Sequence, residues 1–163
     1  MATATSAADL RGSRDLRWGS GLMALAAVGF IGYAVIFFIR NFTDSFLELG
    51  IGRNEVSVGK DKIMAFSPSL YHYISHLHLA VAGFLAATGL AVFFLVWFGV
   101  RRRYLWAWTG AVASAVLGLL VALPAHYPYH LDTIGHLGLV YVAVVIFVAG
   151  ALLSLRALTR PGT

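Results

Sequence analysis

Residues 68–100 read PSLYHYISHLHLAVAGFLAATGLAVFFLVWFGV, an apolar and aromatic stretch that contains no Asp, Glu, Lys or Arg. Ser67 and Pro68 mark its start, because serine is a common N-cap and proline suits the first helical position. A helix needs about 20 apolar residues to cross the hydrocarbon core of a bilayer. The stretch is therefore predicted to be a membrane-spanning helix, which three consecutive arginines at residues 101–103 bring to an end.

The composition of the whole chain also indicates a membrane protein. Of its 163 residues, 60% are hydrophobic and 12% are charged, and the mean hydropathy is +0.80. A soluble domain carries about 25% charged residues, so this chain has too few polar side chains to cover a water-facing globule. It also contains no cysteine, which excludes disulfides, thiolate metal sites and covalent c-type haem.

Three further apolar stretches have the length needed to cross a bilayer. We therefore predict an all-α protein, an integral membrane four-helix bundle, whose single membrane domain covers residues 19–160 and follows a basic, disordered tail at residues 1–18. The predicted spans are residues 19–39, 72–100, 104–123 and 134–155. Residues 41–67 form a polar outer loop in which charged and apolar residues alternate, which indicates a surface helix over part of it.

The basic residues predict the orientation of the spans. The net charge is +5, and arginines gather in the tail, at residues 101–103 and at the C-terminus. Because cytoplasmic loops of membrane proteins carry an excess of Lys and Arg, we expect both termini in the cytoplasm, with the protein in a bacterial inner (plasma) membrane. Basic residues that flank apolar spans indicate topology, so nucleic acid is not an expected partner.

Histidines carry the only chemical signal in the sequence, and the predicted topology places all of them at the outer end of the bundle. The six histidines are His72, His76, His78, His126, His130 and His136. His72 and His76 share one helix face because they are four residues apart, whereas His78 is predicted to point elsewhere. The last three lie in the loop before the fourth span or in the first turn of that span.

Converging imidazoles suit a transition metal ion, since neutral nitrogen donors bind copper, zinc or iron and a nearby carboxylate can bind or orient them. The predicted metal ligands are His72, His76, His126, His130, His136 and Asp132. A b-type haem is the second option, because it needs only two axial histidines and His76 and His136 lie at similar depth. Gly135, beside His136, would leave room for a flat cofactor. The leading hypothesis is therefore a redox or metal-handling subunit with an outer-end metal or haem site.

The plan of four spans with histidines near one end of two helices resembles that of small membrane-anchored b-type cytochromes, such as the anchors of succinate dehydrogenase. The resemblance covers the plan and no motif. Those families set their axial histidines deeper inside the helices, so no function is carried over from it.

Other interpretations remain open. The chain is alternatively a non-catalytic structural or assembly subunit, in a homo-oligomer or a larger membrane complex, whose interfacial histidines bond lipid headgroups or the acids of the outer loop. Gly110, Ser114 and Gly118 recur every four residues, a pattern that permits close helix approach.

A metal-dependent hydrolase embedded in the membrane would use the same histidines, and imidazoles also suit proton sensing. The isolated chain is not expected to be an enzyme.

Overall fold

The computed structural model describes residues 7–160, with side chains from residue 12 onward. Its helices are α1 (Ala7–Thr43), α2 (Lys60–Phe66), α3 (Pro68–Phe94), α4 (Leu105–Ala122) and α5 (Ile134–Thr159). The described residues contain no strand, and four helical segments are long and apolar enough to cross a membrane. The predicted all-α fold and the four candidate spans are therefore confirmed.

The first helix begins well before the predicted span. Residues 7–18, predicted to be disordered, form the first turns of α1, in keeping with their content of alanine, leucine and arginine, which are good helix formers. Leu16 is buried, and Oδ2 of Asp15 lies 3.0 Å from Nη1 of Arg160, which ties these turns to the end of α5. Residues 1–6 of the predicted tail lie outside the described residues.

The start of α3 has the predicted cap, and its end has an unpredicted geometry. Oγ of Ser67 accepts a hydrogen bond from the backbone N–H of Leu70 at 3.3 Å, and Pro68 is the first helical residue. At the other end the chain passes through a π-helical turn, Leu95–Gly99, and a 3-10 turn, Val100–Arg102. The span reaches the predicted length, but its last turns are not α-helical.

Helix α1 is the central element of the fold. It packs along both α3 and α5, which have hardly any direct contact with each other. The backbones of α1 and α5 approach closely at Gly150, where an added Cβ would lie 2.6 Å from the carbonyl oxygen of Gly19 and 2.8 Å from the backbone nitrogen of Met23. Two small residues thus bring the two backbones together, which maximises packing between helices in lipid.

Helix α4 joins the other helices mainly through its first turns. Its buried residues are Ala107 and Ala111, and Nε1 of Trp108 donates to the carbonyl oxygen of Ala151 on α5 at 3.0 Å. Towards the other end of α4, Leu120 and Val121 are 67% and 71% exposed. The predicted four-helix bundle is therefore an arrangement of three helices packed through α1, with α4 attached at one end.

The bundle has two ends with different connections. The outer end carries residues 44–67 and 123–133, and the inner end carries residues 100–104 and 156–160. The surface helix predicted within the polar outer loop corresponds to the short helix α2. Nζ of Lys60, its first residue, donates to the carbonyl oxygen of Phe42 at 3.3 Å, so the loop is fastened to the end of α1.

Replacing Gly150 with alanine should force α1 and α5 apart, because the new Cβ would meet backbone atoms rather than a flexible side chain. Overpacking of this kind lowers stability by about 1–3 kcal/mol. Thermal unfolding followed by circular dichroism in detergent would measure the change. Gly29→Ala is the matched control, since no atom lies within 4 Å of an added Cβ there. Unfolding of both variants at the wild-type temperature would contradict the close helix crossing.

Candidate functional site

His136 is the least exposed histidine, with 2% of its surface accessible. It lies in the first turn of α5, where Oγ1 of Thr133 caps the helix by accepting a hydrogen bond from the backbone N–H of His136 at 3.3 Å. A threonine N-cap satisfies one of the backbone donors that a helix start leaves unpaired. The cap fixes where α5 begins and thereby places the imidazole of His136 against the outer loop.

Both ring nitrogens of His136 face that loop. Nδ1 lies 2.7 Å from the carbonyl oxygen of Leu49, and because a carbonyl only accepts hydrogen bonds, Nδ1 carries a proton. Nε2 is buried without a hydrogen-bond partner and lies 3.3 Å from Oε2 of Glu48, which is ion-pair distance without hydrogen-bond geometry. A neutral imidazole with its proton on Nδ1 and a carboxylate both present acceptor atoms here, so neither satisfies the other.

The loop reaches α5 because of a pair of glycines. Gly50 has a φ of +75°, a conformation that side chains other than glycine rarely adopt. A Cβ on Gly50 would also overlap the backbone of Gly135. The space beside His136 that the sequence suggested for a flat cofactor is therefore occupied by the backbone of the outer loop.

His126 is the second predicted site residue at this place. Its ring centroid lies 5.1 Å from that of His136, and its Nδ1 lies 2.8 Å from the carbonyl oxygen of Ala122. Both imidazoles therefore donate a hydrogen bond from Nδ1 to a backbone carbonyl, which leaves Nε2 of each ring as the nitrogen not used in that bond. The third member of the cluster, Glu48, was not among the predicted site residues, although the acids of the outer loop were expected as partners for interfacial histidines.

The other predicted ligands do not join this cluster. His72 and His76 are exposed on α3, and His130 and Asp132 are exposed in the turns before α5. The proposed axial partners His76 and His136 belong to helices on either side of α1, which explains why they are not brought together. Within residues 7–160, no three His, Asp or Glu side chains form a group that could hold a metal ion.

His78 is the second buried histidine. The sequence predicted that it points away from the face of His76, and in the structure His78 is buried while His76 is exposed. It is 6% exposed, its Nε2 lies 3.0 Å from the carbonyl oxygen of Phe37, and its ring stacks on Phe37 with centroids 3.7 Å apart. One turn away, Nδ2 of Asn41 donates to Oγ of Ser75 at 2.8 Å. These contacts join α1 to α3, so His78 holds two helices together.

No protein-family model, no curated protein and no solved structure matches the chain.

Replacing His136 with alanine should release the outer loop from α5. The change leaves the carbonyl of Leu49 without its donor, and such a loss costs about 1–3 kcal/mol for a buried group. We expect faster amide hydrogen exchange over residues 44–59 and faster tryptic cleavage after Arg53, which is exposed in that loop. His72→Ala removes an exposed histidine at the same end and should change neither rate. If H136A matched the wild type in both assays, the imidazole would not be what holds the loop.

Proposed function

We propose that the protein is a non-catalytic integral membrane subunit that docks on a further transmembrane helix through α4, and that its buried histidines are structural. The partner helix comes from another copy of the chain or from another membrane protein in a larger complex. The observation that carries the proposal is that α4 presents a row of small residues that the chain itself leaves largely uncovered.

That row consists of Gly110, Ser114 and Gly118. Ser114 and Gly118 are exposed, no atom lies within 4 Å of a Cβ added at Gly118, and only Leu95 approaches Gly110. Oγ of Ser114 bonds within its own helix, to the carbonyl oxygen of Gly110 at 2.8 Å. Rows of small residues let helices approach closely in lipid, where packing rather than the hydrophobic effect drives association. Elsewhere in the chain, Gly19 and Gly150 are already used in this way.

The environment of the histidines supports a structural role for the two that are buried. His78 and His136 each bond a backbone carbonyl of another segment, Phe37 on α1 and Leu49 in the outer loop. A ring nitrogen used in this way fastens two parts of the chain together. The remaining histidines are exposed or half-buried at the outer end, where an aromatic ring with a polar edge suits the membrane interface.

The proposal includes the orientation. Arginines collect at the inner end, at residues 101–103 and at Arg156 and Arg160, whereas the acids of the outer loop offset its basic residues. This asymmetry favours an inner end in the cytoplasm, and therefore two cytoplasmic termini in a bacterial plasma membrane.

Site-specific crosslinking tests the docking face from one defined position, because the chain has no native cysteine and carries the label only at the introduced one. Ser114→Cys, labelled with a benzophenone maleimide and irradiated in native membranes, should give a discrete crosslinked product containing this chain and a second protein. Val145→Cys on α5, which is 68% exposed, is the matched control and should remain uncrosslinked. Adding Gly118→Leu to S114C should remove the product, since the leucine would keep the partner helix away. Absence of a product at Ser114, or equal products at both sites, would contradict the docking face.

Metal binding is a second candidate function, and one observation favours it. The unpartnered Nε2 of His136 lies beside the carboxylate of Glu48, with the ring of His126 next to it. Histidines that bind metals usually donate their other ring N–H to a carbonyl or carboxylate, as both of these do. The three side chains do not form a ready-made site, so an ion would have to draw the turn that carries His126 inward. The hydrolase hypothesis depends on the same ion.

Elemental analysis of the detergent-purified protein, with and without zinc or copper supplementation, separates the two candidates. With structural histidines we expect no stoichiometric copper, zinc or iron, and no haem absorption. A stoichiometric ion that is lost in His126→Ala/His136→Ala and retained in His72→Ala/His76→Ala would establish the metal function instead. The control pair removes two exposed histidines and leaves the cluster intact.

A further inference from the structure

An aromatic groove lies at the inner end, between the end of α3 and the start of α4. Its volume is about 520 Å³, and its walls include Phe94, Phe98, Gly99, Tyr104 and Trp106. Sites for small ligands usually measure about 300–1,000 Å³. The walls are almost entirely apolar, yet the groove is adjacent to the most basic connection in the chain.

The groove depends on the π-helical turn that ends α3. A π turn accommodates an extra residue, and such turns occur frequently at functional sites. Leu95–Gly99 forms this turn, and Gly99 lies so close to Ala107 on α4 that an added Cβ would overlap its side chain. The contact holds the first turn of α4 beside the end of α3, with the exposed rings of Phe98 and Trp106 on the groove.

The connection between the two walls carries three arginines, and they differ in their contacts. Nη1 of Arg103 donates to the carbonyl oxygen of Ala157 at 3.1 Å. The guanidinium of Arg101 lies 3.7 Å above the ring of Trp97, a cation–π contact that leaves its N–H donors available. Among the side chains of residues 12–160, no carboxylate forms an ion pair with Arg101 or Arg102. Two exposed positive charges next to an apolar groove are complementary to an amphipathic anion.

We propose that this groove binds an anionic phospholipid, with an acyl chain along the aromatic walls and the phosphate at Arg101 and Arg102. In a bilayer an apolar groove of this kind is filled by lipid, and the arginines select the charge of the headgroup. Guanidinium groups bind phosphate oxygens through paired, charge-assisted hydrogen bonds. Tyrosine and tryptophan side chains, here Tyr104 and Trp106, are enriched at the level of lipid headgroups. The proposal goes beyond the proposed function, and the groove adjoins the docking face at Leu95, which lines the groove and approaches Gly110.

Tryptophan quenching by brominated lipids tests the proposal on the full chain. The protein is reconstituted into two sets of vesicles, both mixtures of phosphatidylglycerol and phosphatidylcholine. In one set the acyl chains of phosphatidylglycerol are brominated, and in the other set those of phosphatidylcholine are. Brominated phosphatidylglycerol should quench tryptophan fluorescence more strongly than its fraction of the vesicle lipid predicts. Trp106→Phe should remove much of that excess quenching. Arg101→Gln/Arg102→Gln should lower the preference for phosphatidylglycerol by about fivefold per arginine, corresponding to about 1 kcal/mol for each lost hydrogen bond to the phosphate.

Arg14→Gln/Arg17→Gln is the matched control, since it removes two exposed arginines from α1 near the same end and should keep the preference. Ala91→Phe fills the groove without changing charge and should also abolish the excess quenching. An unchanged preference in both R101Q/R102Q and A91F would overturn the proposal. Equal losses in R101Q/R102Q and R14Q/R17Q would also overturn it, because they would indicate surface charge without a site. A dimer that A91F disrupts would overturn it as well, because a second copy of the chain would then occupy the groove in place of lipid.

Discussion

The contact of α1 with α5 at Gly19 and Gly150 is the constraint on which the arrangement of the helices depends. Lipid tails are as apolar as the side chains of a membrane helix, so moving those side chains from lipid into a helix contact gains little free energy. Helices in lipid therefore associate where their backbones approach closely and pack. This crossing places α1 in the middle, with α3 along its other side. Both α3 and α5 pack against α1 and have hardly any contact with each other, so the histidines of α3 lie in a different environment from His136 on α5.

The polar contacts between segments follow from the same arrangement. A polar group in the hydrocarbon region must be satisfied inside the protein. Two such contacts join α1 to α3, His78 with the carbonyl of Phe37 and Asn41 with Ser75. Trp108 similarly joins α4 to α5. These bonds lie across helix pairs, so they fix the rotation of each helix about its axis in addition to its position.

The two ends of the molecule suit different partners. At the outer end, the loop lies on α5 through His136, Glu48 and the Gly50–Gly135 contact. At the inner end, a π-helical turn opens an aromatic groove beside arginines, which suits an anionic lipid. The free row of small residues on α4 offers a third surface, which suits a helix. The groove and the row of small residues meet at Leu95, so a lipid in the groove and a helix docked on α4 would be neighbours.

The sequence by itself determined the all-helical class and the four segments long and apolar enough to cross a membrane, because these depend on local hydropathy, and it placed the start of α3 through the Ser67–Pro68 cap. It also separated His78 from His76, since helical periodicity alone sets their faces. Only the tertiary structure decided that residues 7–18 continue α1, that Glu48 is the partner of His136, and that a π turn replaces the last turns of α3. The physical reason is that these outcomes depend on which distant segments meet. The partner of a buried imidazole and the direction of a helix end are set by packing against residues far away in the chain, and no local pattern contains that information.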